Sequence, residues 1–213
     1  LEIKNHADDA DVILQCDDGS GGITPYITLD GSVTRTIFSQ EARFTDSVNL
    51  KFGTGGDMML YHDGSNSYID HTGTGDLIIR QGQDDKDITF QSDDGSGGLA
   101  EYFRLDGSST QTIFSKNQQH ADNVTTYYGN AGDLSIYHDG SNSYIKHVSG
   151  AAGDLIIEQG VDDKDIILKS DDGSGGVTAY LTLDGSAGFT TAQKLIKFED
   201  SVHARFGNGS DLR

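Results

Sequence analysis

Apolar residues fall mostly at alternate positions in three stretches of the chain, residues 23–29, 99–105 and 177–183. An alternation with period two puts successive side chains on opposite faces of a β-strand, as expected when one face is covered. Each stretch ends in Leu-Asp-Gly-Ser, whose Asp and Gly favour a turn. We therefore predict three equivalent half-buried strands, each followed by a turn.

Shorter apolar runs predict further strands, and helical spacing is nearly absent. No apolar stripe of helical period is longer than a turn or two, so single helical turns are predicted only at 40–44 and 192–197. The shorter predicted strands are 76–79, 87–90, 154–157 and 165–168. Asp-Gly-Ser turns begin at residues 18, 30, 63, 94, 106, 139, 172 and 184. These signals predict an all-β chain built from repetitive, turn-rich modules of short strands.

The chain repeats itself with a period of 76 to 78 residues, because Asp-Asp-Gly-Ser-Gly-Gly begins at residues 17, 93 and 171. A module of this length holds roughly seven or eight strands of ordinary length. The predicted divisions are the end of an incomplete repeat at 1–16, modules at 17–92 and 93–170, and the start of an incomplete repeat at 171–213. We expect these residues to be a window on a longer repetitive protein.

The longest identity between modules is Tyr-His-Asp-Gly-Ser-Asn-Ser-Tyr-Ile, which occurs at residues 61–69 and again at 137–145. Gly takes a positive φ at low cost, and Asp and Asn bond to their own backbone, so this motif predicts a hairpin. The predicted structural turn residues are Asp63, Gly64, Ser65 and Asn66, with Asp139, Gly140, Ser141 and Asn142 in the copy. The turn is either a recognition loop or a structural part of every module. Identical copies favour the structural interpretation, since recognition loops usually vary.

Composition limits how much core one chain can form. Hydrophobic residues are 34% of the 213, and the 28 glycines bury almost nothing. A single globular core would therefore be thin. We predict an elongated β-fibre shaft in which three chains bury one face of their strands at a shared axis. Such an assembly also removes exposed sheet edges, which otherwise aggregate.

The formal net charge of −19 argues against nucleic acid and anionic membranes as partners, because phosphate binding needs Lys and Arg. No run of 18 apolar residues is present, so no membrane-inserting segment is predicted. Cys16 is the single cysteine and cannot form an intrachain disulfide. Ser92 and Ser170 occupy its position in the later copies, which indicates that the thiol is replaceable.

Two kinds of metal site were weighed against simple turns. Acidic clusters such as 84–87 offer the oxygen ligands of Ca²⁺, but EF-hand spacing is missing. The Gly-x-Gly-x-Asp segments at 53–57 and 207–211 resemble half of a calcium β-roll, which needs tandem repeats. Histidines on a trimer axis would meet their copies, but no His-x-His pair supports such a site. The pattern favours turns, and we predict no metal, cofactor or catalytic residue.

The combination of Asp-Gly-Ser-Gly-Gly, Leu-Asp-Gly-Ser, Phe-Gly-x-Gly-Gly-Asp and the nine-residue hairpin motif resembles repeats in tail-fibre and other structural proteins of marine bacteriophages. The resemblance covers essentially the whole chain, and the hairpin motif is its most specific part. It implies a homotrimeric, rod-like β-structure in the virion tail, outside the cell. It further implies contacts with other tail proteins and, through a terminal region, with a host surface glycan or receptor.

Three classes of function follow. The first is a structural fibre protein of a phage that supports host-cell attachment. The second is a bacterial adhesin or other extracellular filament built from similar repeats. The third is a fibre-borne polysaccharide hydrolase, which needs two carboxylates placed in a groove. Nearly every acidic motif recurs between modules, which is typical of a scaffold and not of a unique catalytic site, so we expect no enzymatic activity.

Overall fold

The computed structural model describes residues 1–205, which contain β-strands and no helix. The all-β prediction is confirmed, and the strands at 23–29, 99–105 and 177–183 are present with one further residue each. The strands are β1 Val12–Asp17, β2 Ile23–Asp30, β3 Arg35–Phe38, β4 Leu50–Phe52, β5 Met58–His62, β6 Ser67–His71, β7 Ile88–Asp93, β8 Leu99–Asp106, β9 Gln111–Phe114, β10 Thr126–Tyr128, β11 Leu134–His138, β12 Ser143–His147, β13 Ile166–Asp171, β14 Val177–Asp184 and β15 Phe189–Ala192.

Consecutive strands form five antiparallel sheets of three strands each, and every sheet is a meander in chain order. One compact unit, Leu1–Lys116, contains the first three sheets, β1-β2-β3, β4-β5-β6 and β7-β8-β9. The other unit begins at Asn117 and contains the fourth sheet, β10-β11-β12, and the fifth, β13-β14-β15. The sheets follow the sequence repeat, so one period holds six strands and not the seven or eight expected from length.

The first, third and fifth sheets share one register. Each has a β-bulge in its second strand, where Tyr26, Tyr102 or Tyr180 is the extra residue that the pairing skips. A bulge adds one residue to a strand and changes which side chains face each side. Directly paired residues then line up on one apolar face of the sheet, as in the third sheet, where Phe90 pairs with Phe103 and Phe103 with Phe114. Their rings stack at 4.3 and 5.9 Å between centroids.

The described residues include no buried hydrophobic side chain; Ser135 and Thr182 are the buried residues. Within each unit, strands contact only strands of their own sheet. The chain exposes 17737 Å², whereas a compact monomer of 22.8 kDa exposes about 9,600 Å². The apolar faces of the sheets are therefore formed, but no other part of residues 1–205 covers them.

Several sequence predictions are wrong. Residues 76–79 and 154–157 are not strands, since no strand within residues 1–205 completes a hydrogen-bonded ladder with them. No helical turn forms at 40–44 or 192–197, and Ala192 instead ends β15. An isolated helical turn is unfavourable because nucleation costs more than one hydrogen bond returns. The copy of 52–58 at 206–212, with its Gly-x-Gly-x-Asp at 207–211, lies outside the described residues.

Candidate functional site

The repeated motif forms the turn between β5 and β6. The Asp63 N–H donates to the Asn66 carbonyl oxygen at 3.0 Å. Asp63 Oδ1 accepts the N–H groups of Ser65 and Asn66, both at 2.8 Å. Gly64, the residue after this aspartate, has a φ of 98°, which is in the region that favours glycine. Hydrogen bonds therefore join Asp63, Ser65 and Asn66 within four consecutive residues, and Gly64 supplies the backbone conformation of the turn.

Two tyrosines, one on each strand of the hairpin, stabilise this turn. The hydroxyl of Tyr68 donates to Asp63 Oδ2 at 2.8 Å, so both carboxylate oxygens of Asp63 are used. The ring of Tyr68 stacks on that of its cross-strand partner Tyr61 at 4.7 Å between centroids. Hydrogen bonds from the Asn66 N–H and the Tyr68 hydroxyl lower the pKa of Asp63, and the same carboxylate raises the pKa of Tyr68.

The second copy repeats this geometry between β11 and β12. Asp139 Oδ1 accepts the N–H groups of Ser141 at 2.9 Å and Asn142 at 2.7 Å. The hydroxyl of Tyr144 donates to Asp139 Oδ2 at 3.0 Å, and Gly140 has a φ of 92°. These backbone bonds lower the pKa of Asp139. Two copies in separate units thus have the same internal hydrogen bonds.

A loop before each hairpin holds its first strand. Ser47 N–H donates to the His62 carbonyl oxygen, and Asn123 N–H to that of His138, both at 2.8 Å. Ser47 and Asn123 have φ values of 64° and 65°. This contact was not predicted from the sequence, because the two positions lack glycine, although the loop itself repeats as Asp-Ser-Val at 46–48 and Asp-Asn-Val at 122–124.

The Asp-Asp-Gly-Ser-Gly-Gly motifs are compact loops closed by their second aspartate. Asp18 Oδ1 accepts the Ser20 N–H at 2.7 Å, the Ser20 hydroxyl at 2.8 Å and the Gly22 N–H at 3.0 Å. The Ser20 hydroxyl, followed by the backbone N–H groups, lowers the pKa of Asp18. Asp94 and Asp172 have the same partners in their own loops.

The acidic clusters are also turns. Asp87 Oδ1 accepts the N–H of Gly107 at 3.0 Å, which ties the cluster at 84–87 to the turn after β8. A Cβ on Gly107 would collide with the carbonyl oxygen of Lys86, so glycine is needed for this close approach. The equivalent pairs are Asp11 with Gly31 and Asp165 with Gly185.

In residues 1–205, no three His, Cys, Asp or Glu side chains are grouped closely enough to hold a metal ion. His62 and His138 each pair through Nδ1 with a serine hydroxyl, of Ser67 and Ser143, at 3.1 Å. No helix among the described residues is long and apolar enough to cross a membrane. The acidic and histidine-containing motifs of this part of the chain thus hold their own turns.

One charged cluster was not found from the sequence. Arg104 lies on β8 and contacts Glu101 at 2.8 Å, Asp106 at 3.1 Å and Asp87 at 3.4 Å. The Glu101 and Asp106 hydrogen bonds raise the pKa of Arg104. Threonine occupies its position in the other two copies, Thr28 and Thr182, so the cluster does not recur with the repeat.

The comparisons with known proteins do not assign the chain to a protein family. No protein-family model, curated protein or solved structure matches the chain. The resemblance to phage fibre repeats therefore stays a prediction drawn from the motifs.

Proposed function

We propose that the chain is a repeat region of a phage tail fibre or a similar virion appendage, assembled as a homotrimer, that supports host-cell attachment. The observation that carries this proposal is the set of apolar sheet faces that one chain forms and leaves uncovered. A structural role needs stable, repeated modules and no unique reactive site, and the recurring acidic motifs hold turns in every copy.

Self-association is the economical way to cover these faces. The chain exposes about 8,000 Å² more than a compact monomer of its mass. A standard protein interface covers about 800 Å² on each partner, so the excess exceeds one such interface many times over. Equivalent apolar faces recur in every repeat, so identical partner chains can cover each of them with the same contacts. The charge of −19 keeps the remaining surface soluble.

Light scattering on the purified chain tests the assembly. We expect about three chain masses of 22.8 kDa in physiological salt. A well-folded monomer with a cooperative melting transition would contradict the proposal, because its apolar faces would then be stable in water.

Antibodies against the purified chain test the location. Immunogold electron microscopy of a marine virus fraction should label tail appendages if the chain is part of a virion fibre. Labelling of bacterial surfaces without labelled virus particles would instead identify an extracellular adhesin of the kind considered above.

A further inference from the structure

An open groove recurs beside the first, third and fifth sheets. In the third sheet its apolar lining is Ile88, Leu105 and Ile79 of the preceding segment, its charged lining is Arg80, Lys86 and Asp106, and its volume is about 260 Å³. The groove of the first sheet has the equivalent residues Ile3, Val12 and Leu29. That of the fifth sheet has Ile166 and Leu183.

The segment that precedes each of these sheets carries Leu-x-Ile in all three copies, and its Ile lines the groove in the first and third sheets, as Ile3 and Ile79. These segments are Leu1-Glu2-Ile3, Leu77-Ile78-Ile79 and Leu155-Ile156-Ile157. Only the middle residue changes character between repeats, from Glu2 to Ile78 and Ile156. In an extended segment the first and third side chains lie on the same side. The Leu and Ile that every repeat keeps can therefore contact one and the same surface.

The backbone of this segment is unpaired. Within the described part of the chain, residues 77–80 and 155–158 make no backbone hydrogen bond. Their side chains are exposed as well, with Ile79 at 59% and Ile78 at 74%. An extended segment with free N–H and C=O groups and an apolar side resembles an edge strand, which readily pairs with another chain.

We propose that these three Leu-x-Ile segments and their grooves are the contact surface between copies of this chain. Each groove takes the equivalent apolar segment of a second copy, which covers the retained Leu and Ile and leaves the middle residue toward solvent. The proposal rests on the self-assembly proposed above. A second copy is the favoured occupant because the excess accessible surface far exceeds one standard interface and because a groove and a Leu-x-Ile segment recur with each of these sheets.

Cysteine accessibility tests the contact without disturbing it by charge. In a Cys16→Ser background, Ile79→Cys and Ile78→Cys each introduce one thiol. Both positions are open in a single chain, so protection of only one of them requires another chain. We expect the thiol from Ile79→Cys to react with iodoacetamide at least about tenfold more slowly in the assembly than after dissociation in denaturant. The thiol from Ile78→Cys should react quickly in both. Equal rates at the two positions in a trimer would overturn the inference.

Charge substitution tests whether the contact stabilises the assembly. Ile79→Glu with Ile157→Glu should abolish the trimer at micromolar concentration, because each carboxylate would be desolvated at the contact. The matched control is Ile78→Glu with Ile156→Glu, which copies Glu2 of the first repeat and should leave the mass at three chains. If both variants stay trimeric, the inference is wrong while the proposed function stands. If the unsubstituted chain is monomeric, both are wrong.

Discussion

The third and fifth sheets show what the repeat keeps and what it lets vary. Their strands have the same lengths, the same register and the same bulge, at Tyr102 in one and Tyr180 in the other. Both close with an aspartate that bonds to a glycine N–H across the sheet, from Asp87 to Gly107 and from Asp165 to Gly185. The backbone is thus set by turns and apolar positions common to both.

The polar faces of the two sheets differ. In the third sheet Arg104, with 27% of its side chain exposed, lies among three carboxylates. In the fifth sheet the equivalent Thr182 is buried and accepts a hydrogen bond from Gln193 Nε2 at 2.6 Å. Ala179 replaces Glu101 there, so the cation and one of its three carboxylates are absent together, while Asp165 and Asp184 keep the positions of Asp87 and Asp106. The face of the central strand thus accepts different side chains on the same backbone.

Acid should have the largest effect, because it acts on the shared turns in every repeat at once. Hydrogen bonds from backbone N–H groups and serine hydroxyls lower the pKa of the turn aspartates, Asp18, Asp30, Asp63, Asp94, Asp106, Asp139, Asp172 and Asp184. A lowered pKa contributes stability that is present above the unfolded value of about 3.9 and is lost as pH falls through the folded value. We expect the melting temperature to fall steeply below about pH 4.

The control separates this effect from charge repulsion. Acid also reduces the net charge of −19, which by itself would stabilise the fold. Salt at neutral pH screens the repulsion without protonating the turns, so it should raise the melting temperature. A melting temperature that rises steadily from pH 7 to about pH 2 would show that the turn carboxylates contribute little.

Gly107→Ala should break the feature that the two sheets share. The added Cβ would collide with the Lys86 carbonyl oxygen, and overpacking of this kind costs about 1–3 kcal/mol. The loss is measured as the free energy of unfolding in urea. Gly82→Ala is the matched control, since a Cβ there meets nothing within 4 Å and His6 occupies the equivalent position. Equal stability of the two variants would argue against the close approach.

Gly64→Val tests the repeated hairpin. A β-branched residue at a φ of 98° is strained by roughly 1–2 kcal/mol in each chain. In a trimer the strain enters three times, so assembly and thermal stability should suffer far more than in Ser65→Ala. Particles that still assemble should keep receptor binding. Normal melting together with lost cell binding would instead identify the hairpin as a recognition loop.

Arg104→Thr places in the third sheet the residue that the fifth sheet has at this position, Thr182. It should change the melting temperature less than the substitutions above. It leaves Glu101, Asp106 and Asp87 without their cation, so the melting temperature should fall slightly at low salt and recover at high salt. Adding Glu101→Ala reproduces the Ala179 and Thr182 pair of the fifth sheet and should restore part of the loss. No recovery in the double variant would mean that Arg104 acts by packing and not by charge.

Cys16→Ser should have the smallest effect. Cys16 is exposed on β1, and Ser92 and Ser170 fill its position in the equivalent strands β7 and β13. The cost should be within about 1 kcal/mol, as for a mild surface substitution. A collapse of thermal stability would show that the alignment of the repeats is wrong at this position.

Predictions from the sequence succeeded where the information is local. The strand at 99–105 follows from its own alternation, and the turn at Asp63 and Gly64 needs only its immediate neighbours. They failed at 76–79, where Leu77, Ile78 and Ile79 look like a strand but have no partner strand in the described part of the chain. The Arg104 cluster has no repeating signal in the sequence, and the bond from the Ser47 N–H to the His62 carbonyl oxygen joins residues 15 positions apart.

The sequence by itself determined the all-β class, the period of the repeat and the positions of the turns. The turns could be located because the hydrogen bonds inside each turn join residues within four positions of each other. The tertiary structure decided which strands pair, where the bulge shifts the register, and that the apolar faces and the Leu-x-Ile segments stay open. Pairing and burial depend on a partner far along the chain or on another chain, and an apolar pattern specifies a surface to be covered without specifying what covers it.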